Sequence, residues 1–437
     1  MTRNEAAIRT TANALPVARI VAGPFIARHT AVTPPEERTW LDASIVATLS
    51  GTDKADGILA RHAGPTTFGG WLDQMADKAF VIPNQLALKG TGEMPAVHPY
   101  LKIARDLGVS GLRLWASSKG RDVSAGDLGK RKTAAEMLTL TIANSPLARD
   151  PDRIRAGASV ATALSLASFF DYIISYTRPD GAQREQIATT RNSTARQVTS
   201  GPIDKLVTAI DERAPFITPD HLTELGKGLV LGAAALVVKN PDKTALPTAM
   251  YTVGSLFDAL DGSLARKKGI AGDGNMNVKG MIKDVRADKI QEIITFGTLS
   301  FIARRRGNHV AADNYAVGAM SAVLPALFRS HAESKGLIVA EGGIGTRVGR
   351  GILGGVGMAF NSHRDTSDIL SAVVATNNVM TAEDRRQVIR QGEDAPSYKG
   401  TDDTAKFKTE AKVRRRALVP LAAAGLATGA LLLKRKG

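Results

Sequence analysis

The chain has 437 residues, too many for one ordinary hydrophobic core and enough for two domains or one large bundle. It contains no cysteine, which excludes a disulfide framework, a thiolate zinc site and a thiol nucleophile. Lys and Arg number 57 against 42 acidic residues, a formal charge of +15 that suits a nucleic-acid binder, loops on anionic lipid, or an enzyme for phosphorylated substrates. Aromatic residues make up only 5%, so a base-stacking platform is disfavoured and no nucleic-acid partner is expected.

In chain order, the first fifteen residues carry Arg3 and Arg9 without an apolar run, which predicts no cleavable signal peptide. Helical periodicity and Ala/Leu richness then dominate, with no clear alternating strands, so the predicted class is all-α. Apolar windows fall at Ala156–Tyr176, Gly228–Val238, Leu246–Leu256, Ile293–Ala303 and Tyr315–Leu327. Most are shorter than a membrane span needs, and the mean hydropathy is -0.07; alone they fit buried helices of a soluble protein equally well. A polar stretch, Thr177–Pro202, reads as a linker, and a second covers about Thr381–Lys412. Arg414, Arg415 and Arg416 then precede the apolar run Ala417–Leu433, bounded beyond by Lys434, Arg435 and Lys436. Basic flanks on a run at the lower limit for a span suit a C-terminal membrane anchor helix. Gly425 and Gly429 form a small-xxx-small pair, read here as small residues of an Ala-rich anchor.

An internal repeat organises the chain. Asp53-Lys-Ala-Asp56-Gly57-Ile-Leu-Ala60-Arg61 is followed by Gly69 and by Asp73, Asp77 and Lys78. Asp258-Ala-Leu-Asp261-Gly262-Ser-Leu-Ala265-Arg266 is followed by Gly280 and by Asp284, Asp288 and Lys289. Both read DxxDGxxAR then GxxxDxxxDK. The offset is 205 residues from Asp53 to Asp258 and 211 from Asp73 to Asp284, so the second copy is lengthened only between Arg266 and Gly280, where Gly269, Gly272 and Gly274 mark a loop.

Residues three or four apart share a helical face, so Asp53 pairs with Asp56, and Asp73 with Asp77. Two such helices facing one another gather four carboxylates, which repel unless a cation joins them. Hard oxygen ligands suit Mg²⁺, Mn²⁺ or Ca²⁺, and a pair of ions can clamp a pyrophosphate. Gly57 permits close approach of a ligand, and Arg61 offers a planar fork for phosphate. The same logic applies to Asp258, Asp261, Asp284, Asp288, Gly262 and Arg266. One Asp pair would read as a solvated face; two matching quartets do not.

The pattern resembles the signature of the CDP-alcohol phosphatidyltransferases. The resemblance implies two tandem six-helix transmembrane bundles, with the motif on helices two and three of each and the sites facing the cytoplasm. It implies two Mg²⁺ or Mn²⁺ ions per site and a proton-accepting role for Asp77 and Asp288. Gly57, Ala60, Arg61, Gly262, Ala265 and Arg266 then bind the CDP-lipid. The domains expected are 1–180, a linker 181–213, a second transferase-like domain 214–392, and a tail with the apolar helix 393–437.

The first half is similar to phosphatidylglycerophosphate synthases. Asn13-Ala-Leu15 with Arg19 and Pro24 matches their first helix, Arg105-Asp106 through Ser110-Gly-Leu-Arg113 their RExxxSGLR segment, and Leu128-Gly-Lys130-Arg-Lys132-Thr133 their LGKxKT. Arg105, Arg113, Lys130 and Lys132 are the expected cations for glycerol 3-phosphate. In the second half, Ile217–Thr223 resembles the wider family's first helix, with Gly226 where an Arg is usual. Arg329, Lys335, Arg347 and Arg350 resemble the acceptor region of phosphatidylinositol-phosphate synthases, with Thr346 and Gly349 replacing two glutamates. The acceptor there stays open, inositol-phosphate-like at most. CDP-diacylglycerol, a phosphorylated polyol and the bilayer are the implied partners, and a homodimer is compatible with them. Two other readings stand beside this one: one half catalytic and the other a scaffold, or a non-enzymatic basic protein bound at a membrane surface.

Overall fold

The computed structural model describes residues 3–63, 67–119, 127–177, 194–269, 278–335, 337, 347–390 and 404–434. Among these there are helices and turns but no strand, as the periodicity requires. The contacts divide the chain into two compact units, Met1–Thr177 and Arg178–Gly437.

The first unit contains α1 (Arg3–Val32), α2 (Trp40–Ala63), α3 (Thr67–Gly90), α4 (Val97–Ser118), α5 (Asp127–Ala143) and α6 (Pro151–Thr177). Helix α1 packs on α3 at backbone contact: a Cβ at Gly23 would lie 2.5 Å from the Ala79 carbonyl oxygen. Asn84 Nδ2 donates to the Gly23 carbonyl at 3.2 Å across the same crossing. Val46, Phe80, Leu88, Met94, Leu140 and Ile154 fill the core beneath it. The far end is held by Arg38, whose side chain is fully buried. Its guanidinium pairs with Glu93 through two nitrogens and also donates to the carbonyls of Thr30, Thr33 and Ala143. One side chain thus satisfies carbonyls at the ends of α1 and α5 that the helices leave orphaned.

The second unit contains α7 (Thr194–Arg213), α8 (Pro219–Lys239), α9 (Ala245–Lys267), α10 (Val278–Arg305), α11 (His309–Ser321), α12 (Leu324–Ser334), α13 (Arg347–Ala359), α14 (Arg364–Arg390) and α15 (Thr404–Lys434). Pro219 opens α8, and Thr218 and His221 form a reciprocal capping box. Tyr251, Phe296, Leu299, Tyr315, Met358 and Val374 form the core. If α11 and α12 are taken as one interrupted helix, α8 to α14 repeat the order of α1 to α6. Each helix pair packed in the first unit then has a packed counterpart in the second. Among the described residues, two segments are long and apolar enough to cross a membrane, Pro219–Lys239 and His309–Ser334.

Two stretches are more structured than their composition suggests. Residues 194–213, within the expected linker, form α7, and Val207 is buried against Leu222, Leu260 and Leu264. The expected C-terminal anchor does not stand apart: α15 packs on α10, α11 and α12, burying Leu418 and Ala422 against Ile293 and Val323. Gly425 faces the Ala319 carbonyl oxygen, 3.1 Å from where its Cβ would be, so the small residue is a packing contact. Thr381–Arg390, part of the second polar stretch, completes α14.

Removing Arg38 leaves Glu93 without its cation and three carbonyl groups without that donor. Arg38→Ala is expected to cost roughly 3–5 kcal/mol of stability, the scale for breaking a buried pair on one side. Thermal unfolding of the purified full chain in detergent measures this, and a midpoint equal to wild type refutes the structural role.

Candidate active site

In the first unit the motif lies on α2 and α3. Asp53, Asp56, Gly57, Ala60 and Arg61 occupy the C-terminal half of α2, and their side chains lie outside the described residues. Asp73 and Asp77 are one turn apart on α3. Arg19, fully buried on α1, donates to Asp73 Oδ1 at 2.7 Å, while the Asp73 side chain remains 45% exposed. The Gly23 crossing brings the two helices close enough for that reach.

Asp77 is oriented into the bundle. Its Oδ1 is buried and accepts no hydrogen bond from the protein. Lys132, Lys102, Glu136 and Asp106 surround it electrostatically. Those four form one buried network across α4 and α5. Lys102 donates to Asp106 Oδ2 at 2.9 Å and to Glu136 Oε2 at 3.2 Å. Lys132 approaches the same Glu136 oxygen at 3.2 Å. Arg105 donates to Asp106 Oδ1 at 2.9 Å and to Ser168 Oγ on α6 at 2.7 Å. Arg113 donates to the Tyr172 hydroxyl at 2.9 Å, and the guanidinium carbons of Arg105 and Arg113 lie 5.6 and 5.4 Å from the Tyr172 ring centroid.

Three of the four expected acceptor cations, Arg105, Arg113 and Lys132, therefore meet on the wall built by α4, α5 and α6. Lys130 is exposed on α5. Arg105 and Lys132 are not bare charges; each has a carboxylate partner, so a phosphate would share a network already oriented. Lys102, Glu136, Ser168 and Tyr172 join this wall without having been singled out in the sequence. The spacing signal was nevertheless there: Lys102 with Asp106, and Lys132 with Glu136, are four residues apart on their helices.

In the second unit, Asp261 is buried and accepts a 2.6 Å hydrogen bond from the Thr223 hydroxyl on α8. Asp288 Oδ2 lies 3.4 Å from Lys289, which is itself held by both oxygens of Glu292. Gly262 and Ala265 sit half-buried on α9. The side chains of Asp258, Arg266 and Asp284 lie outside the described residues, as do those of Arg347 and Arg350 on α13. Arg329 donates to Glu333 at 2.8 Å, and Arg414, from α15, donates to the other Glu333 oxygen at 3.2 Å. Lys335 is exposed at the end of α12. Thr223, Lys289, Glu292, Glu333 and Arg414 are the partners that sequence reading did not supply.

Among the described residues, no three or more His, Asp or Glu side chains converge on one point. What the described part does show fits a divalent cation. An ionised carboxylate offers only acceptors, and the partnerless Asp77 oxygen is a buried acceptor of this kind.

Comparison with known proteins places this geometry. Residues 9–170 match the family model of the CDP-alcohol phosphatidyltransferases. The chain is 32% identical over 145 residues to a probable phosphatidylglycerophosphate synthase of Mycobacterium tuberculosis, spanning 32% of this chain and 68% of that protein. It is 34% identical over 131 residues to the CDP-diacylglycerol--glycerol-3-phosphate 3-phosphatidyltransferase of Rickettsia bellii, spanning 30% of this chain and 72% of that one. The enzyme of that name in Bacillus subtilis is 38% identical over 93 residues, 21% of this chain and 48% of the relative.

If Asp77 is a ligand, a divalent ion binds the folded state and raises its unfolding temperature. Saturation at about 100 times the dissociation constant is worth about 2.7 kcal/mol. We expect Mg²⁺ or Mn²⁺ to shift the unfolding midpoint of the full chain upward, with a smaller shift in Asp77→Ala. An equal shift in that variant would exclude Asp77 as a ligand.

Proposed function

The chain belongs to the CDP-alcohol phosphatidyltransferase family, and from that premise we propose that its first unit transfers a phosphatidyl group from CDP-diacylglycerol to glycerol 3-phosphate, releasing CMP. Members of this family are membrane-associated and use divalent metal ions. The observation that carries the reading is the buried, partnerless oxygen of Asp77 beside the Lys102, Lys132 and Glu136 network.

Asp53, Asp56, Asp73 and Asp77 would hold Mg²⁺ or Mn²⁺, two ions in each site. When bound, these ions neutralise the pyrophosphate of the donor and polarise the bond that breaks. Gly57, Ala60 and Arg61 receive the CDP moiety. The acceptor phosphate docks on the wall that carries Arg105, Arg113 and Lys132, with Lys130 exposed on the same helix as Lys132. Its free hydroxyl is thereby directed at the β-phosphorus. The hydroxyl oxygen bonds to that phosphorus, its proton passes to Asp77, and the bond to the bridging oxygen breaks as CMP leaves. Arg19 acts as a positioning residue by fixing Asp73 from α1.

The repeated motif and the repeated helix pairing support a duplicated transferase fold, with a six-helix membrane bundle in each half. In the second unit Asp258, Asp261, Asp284 and Asp288 are the corresponding ligands, with Asp288 as proton acceptor. Gly262, Ala265 and Arg266 face the donor, and Arg329, Lys335, Arg347 and Arg350 face an inositol-phosphate-like acceptor. Both sites open to the cytoplasm.

Full-length protein in detergent, given CDP-diacylglycerol, glycerol 3-phosphate and Mg²⁺ or Mn²⁺, is expected to release CMP and to stop on chelation. Loss of the proton acceptor is worth about 10²–10⁴-fold. Asp77→Asn should show a loss in that range with glycerol 3-phosphate. Asp288→Asn should retain that turnover and lose turnover with other polyol phosphates. Absence of CMP release with every acceptor refutes the activity; turnover abolished by one substitution alone identifies a single catalytic half and a scaffold.

A further inference from the structure

The second unit has an opening beside α8. Helix α1 is locked to α3 at Gly23, but its counterpart α8 makes its backbone contact with α9: a Cβ at Gly254 would lie 2.8 Å from the Gly226 carbonyl oxygen. Drawn toward α9, α8 leaves a cleft of about 420 Å³ between itself and α10. Its walls include Lys227 and Leu231 on α8, and Ile282, Arg286, Ile290 and Ile294 on α10.

These α10 residues recur every four positions, forming one stripe. Arg286 lies two residues before Asp288, about 200° around the helix. Ala287 and Gln291 widen this wall on either side of Asp288, while its cation and its aliphatic stripe point away from the expected catalytic carboxylate. Leu231 is 47% exposed and Ile290 42%, so the apolar part is open. Arg286 is exposed and has no ion pair among the described residues, and Lys227 is tied only to Glu224 at 3.0 Å. One helical turn beyond each cation the walls become aliphatic, with Leu231 following Lys227 and Ile290 following Arg286.

We propose that this cleft is an accessory binding site for an anionic glycerophospholipid, its phosphate on Lys227 and Arg286 and an acyl chain along Leu231, Ile290 and Ile294. Charge complementarity selects the occupant: two cations beside an apolar channel match a phosphate joined to a hydrocarbon chain and give a zwitterionic lipid no comparable advantage. The site rests on the membrane-embedded reading of this unit and is independent of catalysis in either half.

Native mass spectrometry of the delipidated full chain in detergent, titrated with phosphatidylglycerol or phosphatidylcholine of equal chain length, tests it. We expect one phosphatidylglycerol retained preferentially. Removing two phosphate contacts should weaken retention by roughly thirtyfold, so Lys227→Gln with Arg286→Gln is expected to fall by that factor. Ile290→Trp, which fills the channel without changing charge, should also lose the lipid. CMP release by the first unit should be unchanged in both. Equal retention of the two lipids overturns the proposal, as does retention unaffected by either variant. Displacement by inorganic phosphate alone also overturns it, because the cleft would then hold only the anion.

Discussion

A carboxylate held inside a helix bundle needs a partner, and each unit supplies at least one from a helix outside the motif. In the first, Arg19 reaches across from α1 to Asp73, and Lys102 and Lys132 face Asp77 from α4 and α5. In the second, Thr223 donates to Asp261 from α8, and Lys289 lies beside Asp288. Neutralisation is incomplete where it matters, because Asp77 keeps a buried oxygen without a donor. A carboxylate fully paired by arginine or lysine would have no acceptor capacity left for a cation. The first unit instead places a buried ion-pair network one layer away, between Lys102, Asp106, Glu136 and Arg105.

That arrangement accounts for the low hydropathy. Ser159, Thr162, Ser165 and Ser168 are all buried on α6, and His98 contacts Thr162 at 2.9 Å. Ser168 both donates to the Ser165 carbonyl and accepts from Arg105. A hydroxyl that bonds within its own helix, as Ser168 does, carries little desolvation cost, so polar residues can face the interior while Leu107, Leu114 and Leu138 face outward. Interior polarity depresses the average. A hydropathy window averages over both faces and hides the distinction.

What the sequence made legible was whatever helical periodicity encodes. The Asp spacings and the all-helical class follow from residues three or four apart, a spacing that also holds the unread pairs Lys102 with Asp106 and Arg329 with Glu333. Partners joined across helices were not legible, because nothing local relates Arg19 to Asp73 or Arg414 to Glu333. Composition also misled where burial is sparse. Residues 194–213 look like linker because few of them are apolar, yet Val207, with Ile210, carries α7 into a cluster with Leu222, Leu260 and Leu264. The run after Arg416 looks like an isolated anchor because its flanks are basic, yet Arg414 is one of those flanks and is engaged by Glu333.

The two units show how one helix order can carry different surfaces. Glycine decides which helices touch at the backbone, since any side chain there would force the axes apart. In the first unit Gly23 spends that contact on α3, so Arg19 arrives within reach of Asp73 and the α1 to α3 seam is closed. In the second, Gly226 and Gly254 join α8 to α9 instead. The consequence is visible in the partners: α8 serves Asp261, on α9, with a short Thr223 hydroxyl and sends no arginine to α10 at the position where Gly226 stands. A small residue in place of a long cation thus moves the support of the site from the third helix of the motif region to the second. The cleft beside α10 is the space left by that exchange.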